Sequence, residues 1–302
     1  MHERTRKLAL TEGIAAGTLF GTAAIFIRYL QELDSFSISF WRLIVACLVL
    51  AALSILLKKP LDFHFARKNL KDLVFLSALL GLHFIFFISA VKDTTILNAT
   101  VLVNITPIFS MLVSSSIFKV KPSRFAVVGL TVSFLGACII AYAETTIAGQ
   151  ATPRVGYSPS LKGDLEAVLA ALVEAFYLNY GRRIRQQMNV LSIMTPIYLL
   201  TALIVGVLSL PFAGRFLTFP SDLLLGLFLV GLGILPTAAA HTLYFSSLSN
   251  LKSFETATMA LLEPIGATIL GIALFAEIPA PLFAFGAILI LIGIFFIIRN
   301  EQ

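Results

Sequence analysis

Ten long apolar segments run through the chain, and they constrain its fold more than any other feature of the sequence. The hydrocarbon core of a lipid bilayer is about 30 Å thick, so a helix needs roughly 20 apolar residues to cross it. Segments of this length predict an all-α membrane protein with ten transmembrane helices. The predicted spans are residues 8–29, 36–57, 70–91, 95–117, 124–143, 161–181, 190–212, 222–248, 254–276 and 280–298.

The composition indicates that lipid, not water, surrounds most of this chain. Charged residues make up 13% of the 302 residues and apolar residues 58%, whereas soluble domains usually carry about 25% charged residues. A larger core does not explain the difference, because a surface that faces water still needs charge. The basic start of the chain, with Arg4, Arg6 and Lys7, has the polarity of a signal peptide. Since the apolar run after it is long and lacks a small-residue cleavage site, we interpret it as the first transmembrane helix.

Lysine and arginine residues predict the orientation of the spans. With the N-terminus in the cytoplasm, 16 of the 22 basic residues fall in the predicted inner segments, the side where membrane proteins concentrate them. Arg42 lies within a span, and the predicted outer segments hold Arg28, Lys92, Arg154, Lys162 and Arg215. We therefore predict a multi-pass protein of the cell (inner or plasma) membrane with both termini in the cytoplasm. The pI of 9.4 then reflects topology and does not indicate binding to nucleic acid.

The two halves of the chain form an internal repeat, which aligns without a gap when the sequence is shifted by 157 residues. The matched pairs are Pro107 with Pro264, Ile108 with Ile265, Pro122 with Pro279, Gly129 with Gly286, and Gly136 with Gly293. Because each copy holds five spans, an odd number, the second copy must enter the membrane upside down. We predict a first repeat at 1–143, an extracytoplasmic linker at 144–160 and an inverted second repeat at 161–302. Two inverted five-helix repeats around a central cavity are typical of transporters.

Several short motifs resemble those of the EamA-type transporters of the drug/metabolite transporter superfamily. They are Leu19-Phe20-Gly21, Phe40-Trp41-Arg42, Thr106-Pro107-Ile108, Leu262-Glu263-Pro264-Ile265 and Leu274-Phe275-Ala276-Glu277. The family often has an acidic residue after its fourth helix, where this chain has Val120, so any role of that acid falls to Glu277 alone. The resemblance implies a ten-helix carrier with a central cavity, which exports amino acids or other small metabolites.

Two glutamates are the first candidates for the substrate cavity. Polar groups at membrane depth are costly, so they usually face a cavity or a partner. Glu174 lies midway along the sixth predicted span, with Tyr177 one turn on and Tyr180 three residues further, which predicts one polar side. Glu263 lies midway along the ninth span, directly before Pro264. We predict that both carboxylates line the cavity and bind an amine or a proton, the alternative being a hydrogen-bonded structural role.

Two histidines lie one position apart in the repeat alignment, His83 in the third span and His241 in the eighth. His241 and Tyr244 are also part of a polar stripe along the eighth span. A histidine within a span is often a hydrogen-bonded structural residue, but a paired occurrence in repeated helices favours a place in the cavity. We therefore predict that all three side chains line it.

Polar residues of the second and fourth spans complete the predicted cavity. Thr100 and Asn104 share a face of the fourth span, and Trp41 and Arg42 lie one to two turns into the second. For Arg42 we expect snorkelling to the surface or a carboxylate partner, with attraction of an anionic substrate as the alternative. No His, Cys, Asp or Glu residues have the spacing of metal ligands, so we predict neither a metal nor a cofactor.

These features favour a transporter over the other classes of membrane protein. An enzyme is not expected, because the chain has no His-Glu-x-x-His motif, no Gly-x-Ser-x-Gly motif and no pair of aspartates within the spans. A channel would need repeated rings of pore-lining residues. A nucleotide-sugar or sugar-phosphate exchanger would need clustered Lys or Arg at depth, and it remains the alternative together with a drug exporter. We predict a secondary transporter of amino acids or related amine-bearing solutes, working by alternating access, in the direction of export.

The predicted partners are a small-molecule substrate and the lipid bilayer. Protons are the candidate coupling ion, through Glu174 or Glu263, with exchange as the alternative. Gly13, Gly17 and Gly21 repeat every four residues and permit close helix approach. We interpret this spacing as tight packing within a monomer, with a dimer contact as the alternative.

Overall fold

The computed structural model describes residues 5–59, 61–148, 160–212, 217–275 and 281–300, and every regular element in these ranges is helical. The helices are α1 Arg6–Phe20, α2 Ala23–Tyr29, α3 Ser35–Leu56, α4 Phe63–Lys68, α5 Leu70–Asp93, α6 Ile96–Val103, α7 Thr106–Ser116, α8 Arg124–Ala148, α9 Leu161–Arg185, α10 Val190–Ser209, α11 Leu223–Leu232, α12 Thr242–Ser247, α13 Ser253–Met259, α14 Glu263–Phe275 and α15 Pro281–Asn300. A π-helical segment, Gly233–His241, joins α11 to α12, and a 3-10 turn, Ala260–Leu262, joins α13 to α14. Glu277 and most of the predicted linker lie outside the described residues.

Seven helical stretches within the described ranges are long and apolar enough to cross a membrane, so the chain is an all-helical, multi-pass membrane protein. They are Arg6–Tyr29, Ser35–Leu56, Leu70–Asp93, Asn98–Ser116, Val190–Ser209, Leu223–Ser247 and Pro281–Arg299. Each of the ten predicted spans overlaps a described helix, but ten crossings stay a prediction. The stretch of α8 that is found apolar among the described residues, Arg124–Ile140, is shorter than a full span, and α9 carries Asp164, Glu166 and Glu174 along its length. The short helix α4 was not predicted.

Two of the long helices are interrupted just before a proline. Pro107 stands in the first turn of α7, after Asn104 and Ile105 separate that helix from α6. Pro264 is the second residue of α14 and follows the 3-10 turn. Proline lacks an N–H and its ring clashes with the carbonyl four residues earlier, so it tends to kink or break a helix in the preceding turn. The interruptions leave Asn104 and Glu263 at helix ends inside the protein, where they are 1% and 7% exposed.

The glycine face of α1 packs tightly against the second half of the chain. A Cβ atom added at Gly17 would lie 1.9 Å from the carbonyl oxygen of Met259, and one at Gly21 would lie 2.4 Å from the backbone nitrogen of Ala267. Only glycine permits so close an approach of two backbones. The glycine spacing of the first span thus serves packing within the chain, and this face is not free for contact with a second copy.

The remaining long helices complete the enclosure around the middle of the protein. α5 packs along α9, α3 packs along α10 and along the π-helical segment, and α7 packs against α9. One large apolar cluster joins these helices, with Leu43, Phe84 and Leu178 among its fully buried members. Polar side chains that point inward from α3, α5 and α9 are therefore held by packed helices on all sides.

Candidate functional site

A small cavity lies in the middle of the helical bundle, where the interrupted helices meet α3, α5 and α9. Its volume is about 40 Å³, and since one buried water needs roughly 10–15 Å³, it has room for about three water molecules or a very small solute. We call it the central cavity. It is lined by Phe20, Ala23, Arg42, His83, Phe87, Val103, Asn104, Thr106, Glu174, His241, Ala260 and Glu263.

Glu174 enters the central cavity from α9 and is bonded on one side only. Its Oε2 atom accepts a hydrogen bond from the hydroxyl of Thr106 at 3.4 Å and lies 3.7 Å from Nδ1 of His83. That Nδ1 atom is also 3.1 Å from the carbonyl oxygen of Ala170. A carbonyl can only accept, so Nδ1 of His83 carries the proton. The carboxylate is thus held by α5 and α7 while the rest of the group faces the cavity.

Glu263 and Asn104 face the central cavity from the two helix interruptions. Both amide atoms of Asn104 are buried and lack a hydrogen bond of good geometry among the described residues, although the amide lies close enough to the Glu263 carboxyl to interact with it. A buried polar group without a partner costs about 1–3 kcal/mol. An amide kept in such a place is suited to a solute or water that supplies the missing bonds.

Arg42 reaches the central cavity from α3, and its surroundings correct one expectation. The residue is 1% exposed, so it does not snorkel, and no carboxylate pairs with it among the described residues. Its Nε donates to the hydroxyl of Thr237 at 2.8 Å, and its guanidinium lies 4.1 Å from the centre of the Phe84 ring. The Nη1 atom is buried and has no hydrogen-bond partner in the described ranges. The physical reason is that α3 packs along the π-helical segment, which carries the Thr237 hydroxyl that Arg42 contacts.

The two histidines both line the central cavity and lie against each other there. Their ring centres are 5.9 Å apart with the planes at 69°. His241 also makes edge contacts with Phe20 and Phe84, each with ring centres 4.8 Å apart. Its Nδ1 atom is buried and without a hydrogen-bond partner among the described residues. An aromatic wall therefore adjoins the polar groups of the cavity.

Five of the predicted site residues do not line the central cavity. The Tyr177 hydroxyl contacts the sulfur of Met194 at 3.6 Å, the Tyr180 hydroxyl is bonded to Asp72, and the Tyr244 ring packs edge-on against Phe20. The Thr100 hydroxyl donates to the carbonyl of Ile96, and the indole of Trp41 donates to the carbonyl of Leu217 at 3.1 Å. A helix turns by 100° per residue, so residues three and six positions beyond Glu174 point 60° and 120° away from it.

Six lining residues were not predicted from the sequence: Phe20, Ala23, Phe87, Val103, Thr106 and Ala260. Thr106, Phe20 and Ala260 could have been found from the helix breaks. Thr106 stands directly before Pro107, and its hydroxyl lies 2.7 Å from the carbonyl of Val103 and 3.4 Å from Glu174, two acceptors for its single proton. Phe20 is the last residue of α1 before that helix breaks at Gly21 and Thr22. Ala260 begins the 3-10 turn. Each lies where a helix is interrupted, which is the common signal. No group of three or more His, Cys, Asp or Glu residues within the described ranges is placed to hold a metal ion.

A family model and two similar proteins point to membrane transport, and a solved structure shows a similar fold. A family model described as the EamA-like transporter family matches residues 8–142 and 161–299. A protein of Bacillus subtilis named "Uncharacterized transporter YxxF" is 24% identical over 269 residues, which is 88% of this chain and 82% of that protein. An "Uncharacterized transporter" of Archaeoglobus fulgidus is 26% identical over 297 residues, 95% and 94% of the two chains. A solved crystal structure superposes with a TM-score of 0.78 at 18% identity over 98% of both chains, which establishes similarity of fold alone.

Proposed function

The chain belongs to the EamA-like transporter family, and from that premise we propose that it exports amino acids or closely related amine-bearing solutes by alternating access. The proposal includes ten transmembrane helices in two inverted repeats, a place in the cell membrane and cytoplasmic termini. It also includes a monomer as the working unit and protons as the coupling ion. The substrate site is the central cavity.

One observation carries the choice of substrate: groups of opposite charge face the same small cavity. Arg42 presents an unpartnered Nη1 atom there, and Glu174 and Glu263 line the same space. An amino acid has a carboxylate that suits a guanidinium, and an ammonium group that suits a carboxylate. The amide of Asn104 can serve either end. A solute with only one of these charges would leave either Arg42 or the two carboxylates without a partner of opposite charge.

The size of the central cavity favours a small solute over the alternatives. Sites for drug-sized ligands measure about 300–1,000 Å³, and this cavity measures about 40 Å³. A nucleotide sugar would also need several basic groups to neutralise its phosphates, and Arg42 is the single Arg or Lys residue among the lining residues. Even an amino acid requires some widening, which alternation between two conformations provides.

Packing between α8 and α15 supports the inverted repeat. A Cβ atom at Gly129 would lie 2.5 Å from the carbonyl oxygen of Gly293, and one at Gly136 would lie 2.6 Å from that of Gly286. In the repeat alignment Gly129 matches Gly286 and Gly136 matches Gly293, so the two pairs are equivalent. Ser133 donates to the carbonyl of Ile290 at 3.1 Å, and these two residues are themselves 157 positions apart. Two equivalent helices that pack antiparallel about a twofold axis produce this reciprocal pattern.

Equivalent contacts close the bundle on either side of the cavity, and they support alternating access. At one end Arg6 of α1 pairs with Glu255 of α13. At the other, Asn98 of α6 donates to Asp164 of α9 at 3.1 Å. Asn98 and Glu255 are 157 residues apart, so they match in the repeat alignment. Their partners, Asp164 and Arg6, lie in the first turns of α9 and α1, two helices that the alignment also matches. Release of one closure while the other holds would expose the cavity to one side at a time.

The experiment that tests this proposal is competitive exchange in proteoliposomes. Vesicles that contain the purified protein are loaded with unlabelled amino acids, and entry of a labelled amino acid is followed with competitors outside. We expect competition by neutral amino acids, weaker competition by amines without a carboxylate, and none by a sugar phosphate, a nucleotide sugar or a hydrophobic cationic dye. Competition by any of the last three without competition by amino acids would overturn the choice of substrate. The same assay with an imposed pH gradient tests protons as the coupling ion.

A further inference from the structure

A second, larger cavity lies at the C-terminal end of α9, away from the central cavity. Its volume is about 360 Å³, and we call it the basic cavity. It is lined by Ser114, Ile117, Phe118, Val120, Asn179, Arg182, Arg183, Gln186 and Ser253. Arg182 is eight residues beyond Glu174 on α9, a separation of about 12 Å along the helix axis. The basic cavity is therefore a separate space, formed where the ends of α7 and α9 meet the start of α13.

The basic cavity carries a positive charge, which the carboxylate of Glu255, close enough to interact with Arg182, offsets only in part. Its lining includes two arginines and no acidic residue. Nε of the half-buried Arg182 donates to the carbonyl of Leu251 at 2.9 Å, which holds the guanidinium in place and leaves its terminal nitrogens for another acceptor. Among the described residues, neither arginine forms an ion pair with a carboxylate. The nearby Glu255 is already bonded to Arg6 at 2.5 Å and to the backbone N–H of Lys252 at 2.6 Å.

One wall of the basic cavity is polar and fixed by its own hydrogen bonds. The amide nitrogen of Asn179 donates to the carbonyl and hydroxyl of Ser110 at 3.1 and 3.0 Å, and its amide oxygen accepts from the hydroxyl of Ser253 at 2.6 Å. These bonds tie α7, α9 and α13 together. The arginines beside them are thus carried on a rigid support.

A second part of the lining is apolar and reaches the outside of the bundle. It consists of Ile117, Phe118 and Val120, and Ile117 is 57% exposed. A free phosphate ion would gain nothing from such a wall. A phospholipid would, because its phosphate can lie between the arginines while its glycerol and first acyl carbons contact the apolar residues.

The flanking sequence places the basic cavity at a basic end of the bundle. Lys119 and Lys121 stand on either side of Val120, and Lys252 precedes Ser253. Basic residues of membrane proteins concentrate on the cytoplasmic side, where anionic lipids of the inner leaflet attract them. Position, charge and the apolar wall all suit the same class of ligand.

We propose that the basic cavity binds the headgroup of an anionic phospholipid, with the phosphate held by Arg182 and Arg183. The bound lipid bridges α7, α9 and α13 at the end of the bundle that Arg6 and Glu255 close. This site is independent of the solute that the central cavity takes. The proposal therefore stands or falls separately from the choice of transport substrate.

Titration of the purified full chain in neutral detergent tests the site. The probes are short-chain phosphatidylglycerol, short-chain phosphatidylcholine and inorganic phosphate, with bound ligand counted by native mass spectrometry and stabilisation followed by thermal unfolding. We expect phosphatidylglycerol to bind most tightly. Arg183→Gln should lower that affinity roughly fivefold, the effect of one basic residue near an anionic headgroup. Arg183→Lys should retain most of it, and Arg67→Gln, at an exposed arginine of α4 outside the cavity, should leave it unchanged.

Three outcomes would overturn the proposal. Equal affinity for phosphatidylcholine would remove the role of charge, and an unchanged affinity in Arg183→Gln would remove the role of this cavity. Binding of inorganic phosphate as tight as that of phosphatidylglycerol would identify a soluble anion, not a lipid, as the ligand. Arg183 is exposed and its side chain makes no hydrogen bond among the described residues. We therefore expect its variants to fold like the parent protein. Arg182→Gln serves as a second variant, judged only on protein that unfolds cooperatively.

Discussion

The guanidinium of Arg6 lies 2.5 Å from a carboxylate oxygen of Glu255, and this ion pair joins the first turn of α1 to α13. Glu255 is completely buried, whereas the Arg6 side chain is 24% exposed. The equivalent contact at the other end of the bundle is a neutral amide on a carboxylate, Asn98 on Asp164. Hydrogen bonds between two charged groups are stronger than those with one neutral partner. The two contacts match in the sequence alignment of the halves and are unequal in strength.

We expect Arg6→Gln to destabilise the protein by about 1–3 kcal/mol, because it leaves the buried carboxylate of Glu255 without its charged partner. The matched control is Lys162→Gln. Lys162 pairs with Asp93 at 2.7 Å, but its side chain is 72% exposed, and exposed pairs contribute about 0–1 kcal/mol. Thermal unfolding of both variants in the same detergent measures the difference. Equal destabilisation by the two variants would mean that the Arg6–Glu255 ion pair contributes no more to stability than an exposed pair.

Gly17→Ala should destabilise the protein by about 1–3 kcal/mol, the usual cost of overpacking. The added methyl group would lie 1.9 Å from the carbonyl oxygen of Met259, so α1 has to move away from α13. Gly226→Ala is the matched control, since the nearest atom to its added methyl group is 3.9 Å away in the ring of Phe219. A chemical-denaturation midpoint for each variant tests this. A Gly17→Ala variant as stable as Gly226→Ala would show that the helices are not in close contact there.

The sequence predicts the helices well because their signal is local. A run of about 20 apolar residues is long enough to cross a bilayer whatever its neighbours are, and α3, α5 and α10 begin and end within a few residues of their predicted limits. The interruptions are harder to locate. Pro107 and Pro264 indicate that a break occurs, but the 3-10 turn and the π-helical segment depend on contacts between helices. Such contacts are set by the fold as a whole.

The site residues also differ in whether a local sequence signal or a contact between helices places them. The cost of burying a polar group within a span identifies Glu174, Glu263 and the two histidines as candidates, because such a group usually faces a cavity or a partner. The tyrosines of α9 share a helix with Glu174, yet a rotation of 60° is enough to turn Tyr177 towards Met194. Arg42 shows the limit most clearly. Its partner Thr237 is 195 residues away in the sequence, and nothing local indicates that the two meet.

Cysteines introduced at positions 150 and 302 should report opposite sides of the membrane. The predicted topology puts position 150 outside and 302 in the cytoplasm, because the basic residues concentrate in the predicted inner segments. Cys47 and Cys138 are first replaced, so that the new thiols are the sole targets. An impermeant thiol reagent added to intact cells should label 150 and spare 302 until the cells are opened. Labelling of 302 with protection of 150 would reverse the topology.

Arg42→Lys should weaken binding of an amino acid by about 10–100-fold, as expected when one hydrogen bond between charged groups is lost. Lysine keeps the charge but cannot reproduce both the bond from Nε to Thr237 and the free Nη1. The affinity for an amine that lacks a carboxylate should change little, because Arg42 is assigned to the carboxylate. Competition in the exchange assay measures both, with Arg183→Lys as the control outside the central cavity. An equal loss for both solutes would mean that Arg42 supports the structure and does not bind the carboxylate.

Glu174→Gln and Glu263→Gln should each reduce transport at least tenfold while the protein remains folded. Glutamine has nearly the size of glutamate and can still accept the bond from Thr106, so the lost property is the negative charge offered to an ammonium group or a proton. Glu166→Gln is the control on the same helix, since Glu166 lies two turns from Glu174 and pairs with Lys162 at 3.7 Å. Exchange in proteoliposomes and thermal unfolding are measured on the same preparations.

The two measurements together separate a substrate-binding carboxylate from a structural one. Loss of transport with an unchanged unfolding temperature assigns the residue to the solute or the coupling proton. Loss of both assigns it to the framework, because a buried group without its partner costs about 1–3 kcal/mol. If both variants transport like the parent protein at every pH tested, neither carboxylate binds the substrate's amine or the coupling proton. The search would then move to Arg42 and Asn104, whose buried polar atoms lack a hydrogen bond of good geometry among the described residues.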